Sequence, residues 1–480
     1  MSIRTLFSAL LFALVSPFAI SGPVAIEDPG MAPSISADQG LLFMHVSDPK
    51  FVDAWVSLCP RTGLCSYTKR YIRGHLDRGY GVFPMPPGEY RLQDISATVV
   101  NKAGQLMTRT WMLSAPVTIH AGKVSSLGTL ITGLIGERII SYELIRNHAD
   151  ALRVIRARNV PISASLTEVD IVDASDKYIE AASIPLIRQQ LLDKKRLGGL
   201  AEGRAFMEPF SVQLDALARN ESNAVIASEL GSLGFASADG QSVQMIPTDT
   251  LATLRVLPQY GNADSPPQSW FVASTLGDVY RVRNMKAERL TMPDIYPAYA
   301  AARLGELLVI ADEQGSVAIS RDEGEHWETH LMPAPGYWKG GARSRMRGVS
   351  GGALLVEPQP GWRVSSKIHQ LRGALISPEG TVSRMPWIQP FAAAVAPQYI
   401  NGTIVFEKEF WFKSSMYVLD TVTEQWIKRP MPAMGCSLRV ANDVLLANQC
   451  DGKKHYQSTD LGQSWLPVPE LVPAEPLNNP

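Results

Sequence analysis

The densest concentration of chemically capable side chains lies between Gly336 and Gly348 (GYWKGGARSRMRG). There Tyr337 and Trp338 precede Lys339, Arg343, Arg345 and Arg347. Alternation along a strand puts the three arginines on one face. Guanidinium forks grip carboxylates or phosphates with paired hydrogen bonds, and the two aromatics offer flat contact surfaces beside them. The plain alternative is an exposed hairpin whose arginines meet solvent or nearby Asp and Glu. A lesser group of the same kind, Lys69, Arg70, Tyr71 and Arg73, reads as ordinary surface.

Other catalytic signals do not hold together. Gly348-Val349-Ser350-Gly351-Gly352 fits G-x-S-x-G, the elbow that presents a nucleophilic serine between a strand and a helix. The residues that follow, GALLVEP, are strand-like, so this motif reads as a glycine-rich hairpin. His45, His75, His120, His148, His326, His330, His369 and His455 form no H-x-H or HExxH pair. His326 and His330 are four apart in a hairpin context, which does not align them as a helix would. The sequence has no phosphate-binding loop and no dinucleotide fingerprint. No catalytic residue, metal or cofactor is expected.

The elements that must carry these side chains are β-rich. With 480 residues the chain is long enough for two or three domains or one large repeat array. Its 45 Lys and Arg against 46 Asp and Glu argue against broad capture of nucleic acid or anionic membrane and leave room for a local patch. A hydrophobic share of 45% supports packed cores, and 37 Gly with 34 Pro indicate many turns.

Residues 1–21 read as a secretory signal peptide: Arg4, an apolar run from Leu6 to Val15, then Ala19-Ile20-Ser21 before a cut at Gly22. The run is short for a bilayer span, no Cys stands near the cut to carry a lipid, and nothing later reads as a membrane span. Residues 22–40 are rich in Pro, Gly and Ser and suit a flexible leader. The four cysteines fit an oxidising compartment. Local pairs Cys59–Cys65 and Cys436–Cys450 are the simplest of three connectivities.

From 41 to 145 short strand-like runs alternate with turns, at the spacing of a small β-sandwich. From 146 to 204 the apolar spacing turns helical and predicts a connector, with Pro185 breaking its second helix and Lys194-Lys195-Arg196 as a solvated last turn. From 205 to 469 the pattern is β again, and 470–480 is a Pro-rich tail. Ser320-Arg321-Asp322-Glu323-Gly324-Glu325-His326-Trp327 and Ser458-Thr459-Asp460-Leu461-Gly462-Gln463-Ser464-Trp465 share the form S-x-D-x-G-x-x-W. Echoes start at Ser237, Ser377 and Asp420, and a turn without the signature follows near residue 282. These six turns are spaced by 45, 38, 57, 43 and 38 residues, the period of four-stranded propeller blades.

The octapeptide resembles the Asp-box, or BNR, repeat of sialidases, sortilin-type receptors and photosystem assembly factors. The resemblance implies a six-bladed β-propeller, or seven blades if 163–236 holds another. It also implies structural roles for Ser320, Asp322, Gly324, Trp327, Ser458, Asp460, Gly462 and Trp465, on hairpins away from the central ligand face. Met85-Pro86-Pro87-Gly88-Glu89-Tyr90-Arg91-Leu92, with the later Val117–Lys123 segment, resembles prealbumin-like and carboxypeptidase-regulatory-like sandwiches. The whole reads as a mainly β protein: N-terminal sandwich, helical connector, C-terminal propeller.

The expected function is non-enzymatic binding of a protein or peptide in the bacterial envelope, periplasmic or secreted. The alternative is a glycan-binding or sialidase-like propeller. Sialidases need three arginines, a Tyr–Glu pair and an acidic general acid, and the early arginine motif such enzymes carry is missing. Arginines converging on the central axis beside a Tyr–Glu pair would favour the glycan reading; a rim cluster would favour a protein partner.

Overall fold

A computed structural model describes residues 38–47, 51, 53–61, 72–77, 79–100, 105–135, 138–146, 148, 151–152, 155, 166–201, 224–260, 269–293, 300–312, 316–331, 342–349, 351–360, 372–386, 397–410, 413–441 and 443–469. The fold is mainly β, and the chain divides into two compact units. The first comprises Met1–Glu208 with Asp249–Thr253, and the second comprises the rest. The signal-like segment, most of the leader and the tail lie outside the described residues.

The first unit is built on β1 (Gly40–Val46), β2 (Asp53–Pro60), β3 (Ile72–Asp77), β4 (Tyr80–Met85), β5 (Gly88–Val100), β6 (Leu106–Ile119), β7 (Val124–Ile135), β8 (Arg138–Ile145) and β9 (Ile171–Asp173). The spacing of these strands predicts two facing sheets. Hydrogen bonding instead joins all nine into one, in the order β6-β5-β2-β3-β4-β1-β7-β8 with β9 also on β7. Its two ends come back together: the Tyr142 hydroxyl on β8 donates to Ser114 O on β6 at 2.8 Å. The curl encloses one core in which Leu42, Met44, Val56, Ile95, Trp111 and Leu130 are buried.

Three expectations for residues 146–204 are corrected. Ile171-Val172-Asp173 is a strand, paired in parallel with Val124-Ser125-Ser126 of β7, so this stretch completes the sheet as well as following it. Pro185 does not break a helix; it is the second residue of α1 (Ile184–Ala201). There a missing N–H costs nothing, because first-turn donors have no intrahelical acceptor. The helix runs on past Lys194-Lys195-Arg196, which therefore are not its last turn. Ile184, Arg188 and Leu191, at i, i+4 and i+7, form its buried stripe, and Arg188 donates to Thr250 O at 2.8 Å.

The second unit holds six small sheets in succession among the described residues. The first has β10 (Ala224–Ala227), β11 (Leu233–Ala236) and β12 (Val243–Met245). The second joins β13 (Leu254–Val256), and the third β14 (Gln259–Tyr260), to later strands. The second continues with β15 (Trp270–Ser274), β16 (Val279–Arg283) and β17 (Lys286–Arg289); the third with β18 (Ala300–Leu304), β19 (Leu307–Ala311), β20 (Val317–Ser320) and β21 (Glu328–His330). The fourth comprises β22 (Ala342–Val349), β23 (Ala353–Pro360), β24 (Arg372–Ile376) and β25 (Val382–Pro386). The fifth comprises β26 (Gln398–Ile400), β27 (Thr403–Phe410), β28 (Lys413–Asp420) and β29 (Gln425–Pro430). The sixth comprises β30 (Ser437–Ala441), β31 (Val444–Cys450), β32 (Lys454–Ser458) and β33 (Leu466–Val468).

Each sheet packs on the next, the arrangement of a β-propeller. Val309 and Ile319 of the third sheet share a core with Leu354 and Val356 of the fourth, while Leu355 and Leu375 of the fourth pack with Ile404 and Leu419 of the fifth. Alternate residues of β23 thus face opposite neighbours. Because both faces are covered, the middle strands are continuous apolar runs such as LLVIA (Leu307–Ala311), rather than alternating ones.

Candidate functional site

The two octapeptides form the same hydrogen-bonded turn in the same place, between the last two strands of their sheets. In the third sheet the Ser320 hydroxyl donates to Asp322 Oδ1 at 2.8 Å and accepts from Gly324 N at 2.7 Å, while His326 N donates to Asp322 Oδ1 at 2.9 Å. In the sixth, Ser458 donates to Asp460 at 2.7 Å, Gly462 N donates to Ser458 at 2.7 Å, and Ser464 N donates to Asp460 at 2.9 Å. The backbone N–H of His326, then its ring and the Ser320 hydroxyl, hold the Asp322 carboxyl down to about 2. The Ser464 hydroxyl and N–H push Asp460 below the usual carboxylate range in the same way.

The tryptophans and glycines seat these turns on the preceding sheet. Trp327 Nε1 donates to Thr291 O at 3.0 Å, beyond the end of the second sheet. Trp465 Nε1 donates to Pro430 O, at the end of the fifth, at 3.2 Å. Gly324 and Gly462 have φ of 93° and 79°. A Cβ added to them would lie 2.4 Å from Leu290 Cδ1 and 2.0 Å from Met416 Cε. The weaker echoes occupy equivalent hairpins: Ser237–Ser242 between β11 and β12, Asn284–Met285 between β16 and β17, Ser377–Thr381 between β24 and β25, and Asp420–Gln425 between β28 and β29.

The arginine stripe lies elsewhere, on the first strand of the fourth sheet. Pairing of β22 with β23 sets Arg343 opposite Gln359, Arg345 opposite Glu357 and Arg347 opposite Leu355, so the three share one strand face. Arg347 is half-buried and donates to Glu357 Oε1 at 2.8 Å. Met346, on the other face, packs into the core shared with the third sheet. Tyr337, Trp338 and Lys339 lie outside the described residues, as do Lys69, Arg70 and Tyr71.

First strands of successive sheets touch one another, β10 with β13, β18 with β22 and β26 with β30. Gln398 on β26 accepts from Val440 N on β30 and donates to Leu438 O. Taking β18 as the first long strand of the third sheet, the six first strands carry Arg255, Arg303, Arg343, Arg345, Arg347 and Arg439 and no Asp, Glu or Lys. Arg303 is buried, its guanidinium over the Phe271 ring and donating to Ser269 O. Arg255 is exposed.

The remaining chemistry is structural. Gly351 and Gly352, with φ of 98° and 85°, turn β22 into β23, a strand-to-strand hairpin in place of a nucleophile elbow. His45 is fully buried, stacked on Tyr80 at 4.0 Å, and burial pushes its imidazole down to about 3. Arg146 and His148 both bond Asp173, tying the end of β8 to β9. Among the described residues no three His, Cys, Asp or Glu converge as a metal site would require. Cys436 and Cys450 form a disulfide; Cys59 is also disulfide-bonded, and its expected partner Cys65 lies outside the described residues.

One feature of the second unit has no counterpart in the sequence reading: a groove of about 520 Å³ whose lining includes Ser415, Lys428, Arg429, Pro430, Met431 and Met434. Its only signal in the chain is the run KRPMPAM, two cations followed by two methionines.

No protein-family model and no curated protein matches the chain. Solved structures similar to it include YCF48 from Cyanidioschyzon merolae, at 11% identity over 52% of this chain and 81% of that one, with a TM-score of 0.27. BamB from Moraxella catarrhalis is 13% identical over 48% and 77%, with a TM-score of 0.22. A streptogramin B lyase is 13% identical over 45% and 73%, with a TM-score of 0.23.

Proposed function

We propose that the protein is an exported, non-enzymatic binding propeller of the bacterial envelope, with six blades of Asp-box type. In this reading the Asp-box hairpins are rim fasteners and the first strands form the ligand face. The observation that carries it is the bias of those strands: six arginines and no acidic residue, in a chain whose charges otherwise almost cancel. A surface so biased favours a carboxylate-bearing segment of a partner protein. Arg255, Arg343, Arg345 and Arg439 are the residues proposed to meet it, with Arg347 held in place by Glu357; Tyr337, Trp338 and Lys339 are proposed to contribute. The signal-like N-terminus and the disulfide Cys436–Cys450 support an oxidising location, and among the described residues no helix is long and apolar enough to cross a membrane.

A glycan reading draws on the same strand, because first strands surround a propeller's axis. It also needs a Tyr–Glu pair beside the arginines, and the acidic partner observed there, Glu357, is joined to Arg347. Crosslinking the full chain in its native envelope separates the two. A protein recovered with wild type and lost with a folded Arg343→Glu/Arg345→Glu variant supports the proposal. The same proteins recovered with both sink it. Recovery of none, with binding to a sialoside panel, replaces it with the glycan reading.

A further inference from the structure

The groove beside β29 is shaped and charged for a different contact. Cross-strand register sets Ser415 opposite Pro430 and Met416 opposite Arg429, so the groove begins at the end of the β28–β29 ribbon. Its far wall is the loop from Met431 to Cys436, which is tied down three times. Pro430 O accepts from Trp465 Nε1, Met434 O accepts from Asp451 N at 3.0 Å, and Cys436 is bonded to Cys450. A loop so fastened keeps its shape without a ligand, which lowers the ordering cost of binding one.

The lining is apolar with a cationic edge. Met431 is partly buried on the core between the fifth and sixth sheets, and Met434 is 61% exposed. Thioether side chains adapt to varied apolar groups. Lys428 and Arg429 are the ionisable residues among the described lining, which includes no carboxylate. Arg429 Nε is buried and has no hydrogen-bond acceptor among the described residues. A carboxylate supplied by a ligand would pair with the charges of Lys428 and Arg429.

We infer that this groove is a docking site for an extended acidic peptide of a partner protein. An apolar side chain of the peptide lies on Met431 and Met434, and a neighbouring carboxylate meets Lys428 and Arg429. Charge complementarity selects this occupant: a basic segment would face two like charges, and a purely apolar one would leave both cations uncompensated. The site shares no residue with the first-strand arginines, so the two proposals stand or fall separately.

The test is fluorescence anisotropy on the full mature chain with three fluorescein-labelled hexapeptides, alternating Leu-Glu, Leu-Lys and Ser-Glu. The Leu-Glu peptide should bind, with affinity falling as salt rises. Lys428→Glu should weaken it about tenfold, and Met434→Ser about threefold. Lys428 and Met434 are exposed, so both variants should fold, checked by circular dichroism. An Arg255→Glu/Arg439→Glu variant should leave binding unchanged. The inference is overturned by no binding, by equal binding of the Leu-Lys peptide, or by binding that survives Lys428→Glu. Loss with Arg255→Glu/Arg439→Glu alone would likewise overturn it and move the peptide to the first strands.

Discussion

Replacing Gly462 with Ala tests whether the Ser458–Trp465 hairpin is seated on the preceding sheet or merely decorates its own. Two costs are expected. Gly462 has φ of 79°, and an L-residue held in the left-handed region loses about 1–2 kcal/mol. The new methyl would also lie 2.0 Å from Met416 Cε. Met416 is fully buried between the fifth and sixth sheets, so its displacement adds an overpacking cost of about 1–3 kcal/mol. Gly402 supplies the control: its φ is 77°, yet a Cβ there would meet nothing within 4 Å. Gly402→Ala therefore carries the backbone cost alone. In urea, with a slope of about 2–3 kcal/mol/M, the two midpoints should differ by about 0.3–1.5 M. Tryptophan fluorescence reads the transition, since Trp465 lies in the same turn. Met416→Ala should remove the excess, so that in this background Gly462→Ala costs no more than Gly402→Ala. Coincident midpoints for the two glycine variants, or a gap that persists without Met416, would refute the seating argument.

Three further outcomes are expected. Asp322 is held at about 2 against roughly 3.9 in an unfolded chain, so its contribution is complete above about pH 4 and is lost as pH falls towards 2; Asp322→Asn should lower stability at pH 7 and flatten the acid limb of a thermal-melt profile. His45 runs by the other residue type: buried neutral at about 3 against roughly 6.5 unfolded, it makes the native state lose stability as pH drops from about 6.5 towards 3. Its ring resonances should accordingly not titrate down to pH 4 in a histidine NMR series, and a midpoint near 6.5 would contradict its burial. Replacing both Cys436 and Cys450 with Ser opens a link across 14 residues of sequence, which should cost about 3 kcal/mol in chemical unfolding; an unchanged midpoint would show that the loop is fixed without it.

Much of the second unit is legible in the chain because its signals are local. Serine, aspartate and glycine at fixed offsets specify a turn by bonding to their own backbone, so Ser320–Trp327 and Ser458–Trp465 can be read without knowing their neighbours. The degenerate turns at Ser237, Ser377 and Asp420 are legible only through spacing. What is lost is whatever depends on distant partners. β9 is three residues long and exists because Val124–Ser126 accept it, while its surroundings read as helix. IRGHLD and RIISYELI mix polar and apolar residues without clean alternation, so β3 and β8 leave little trace. The single curled sheet of the first unit depends on pairings between strands distant in sequence, such as β1 with β7. The groove at Lys428–Met434 needs Trp465, Cys450 and Asp451, all from later in the chain, to turn a loop into a wall.

The sharing of cores between successive sheets has a consequence for how the second unit can be cut. Leu354 and Val356 complete the core of one neighbour and Leu355 that of the other, so no sheet owns a full interior. A fragment ending after the third sheet would expose the face that Leu354 and Val356 cover and would aggregate or unravel from that end. Stability in such an array accumulates through nearest-neighbour interfaces rather than within modules. Truncation should therefore behave as a step loss at each missing interface, and a soluble piece of this unit would need a polar cap in place of the sheet removed.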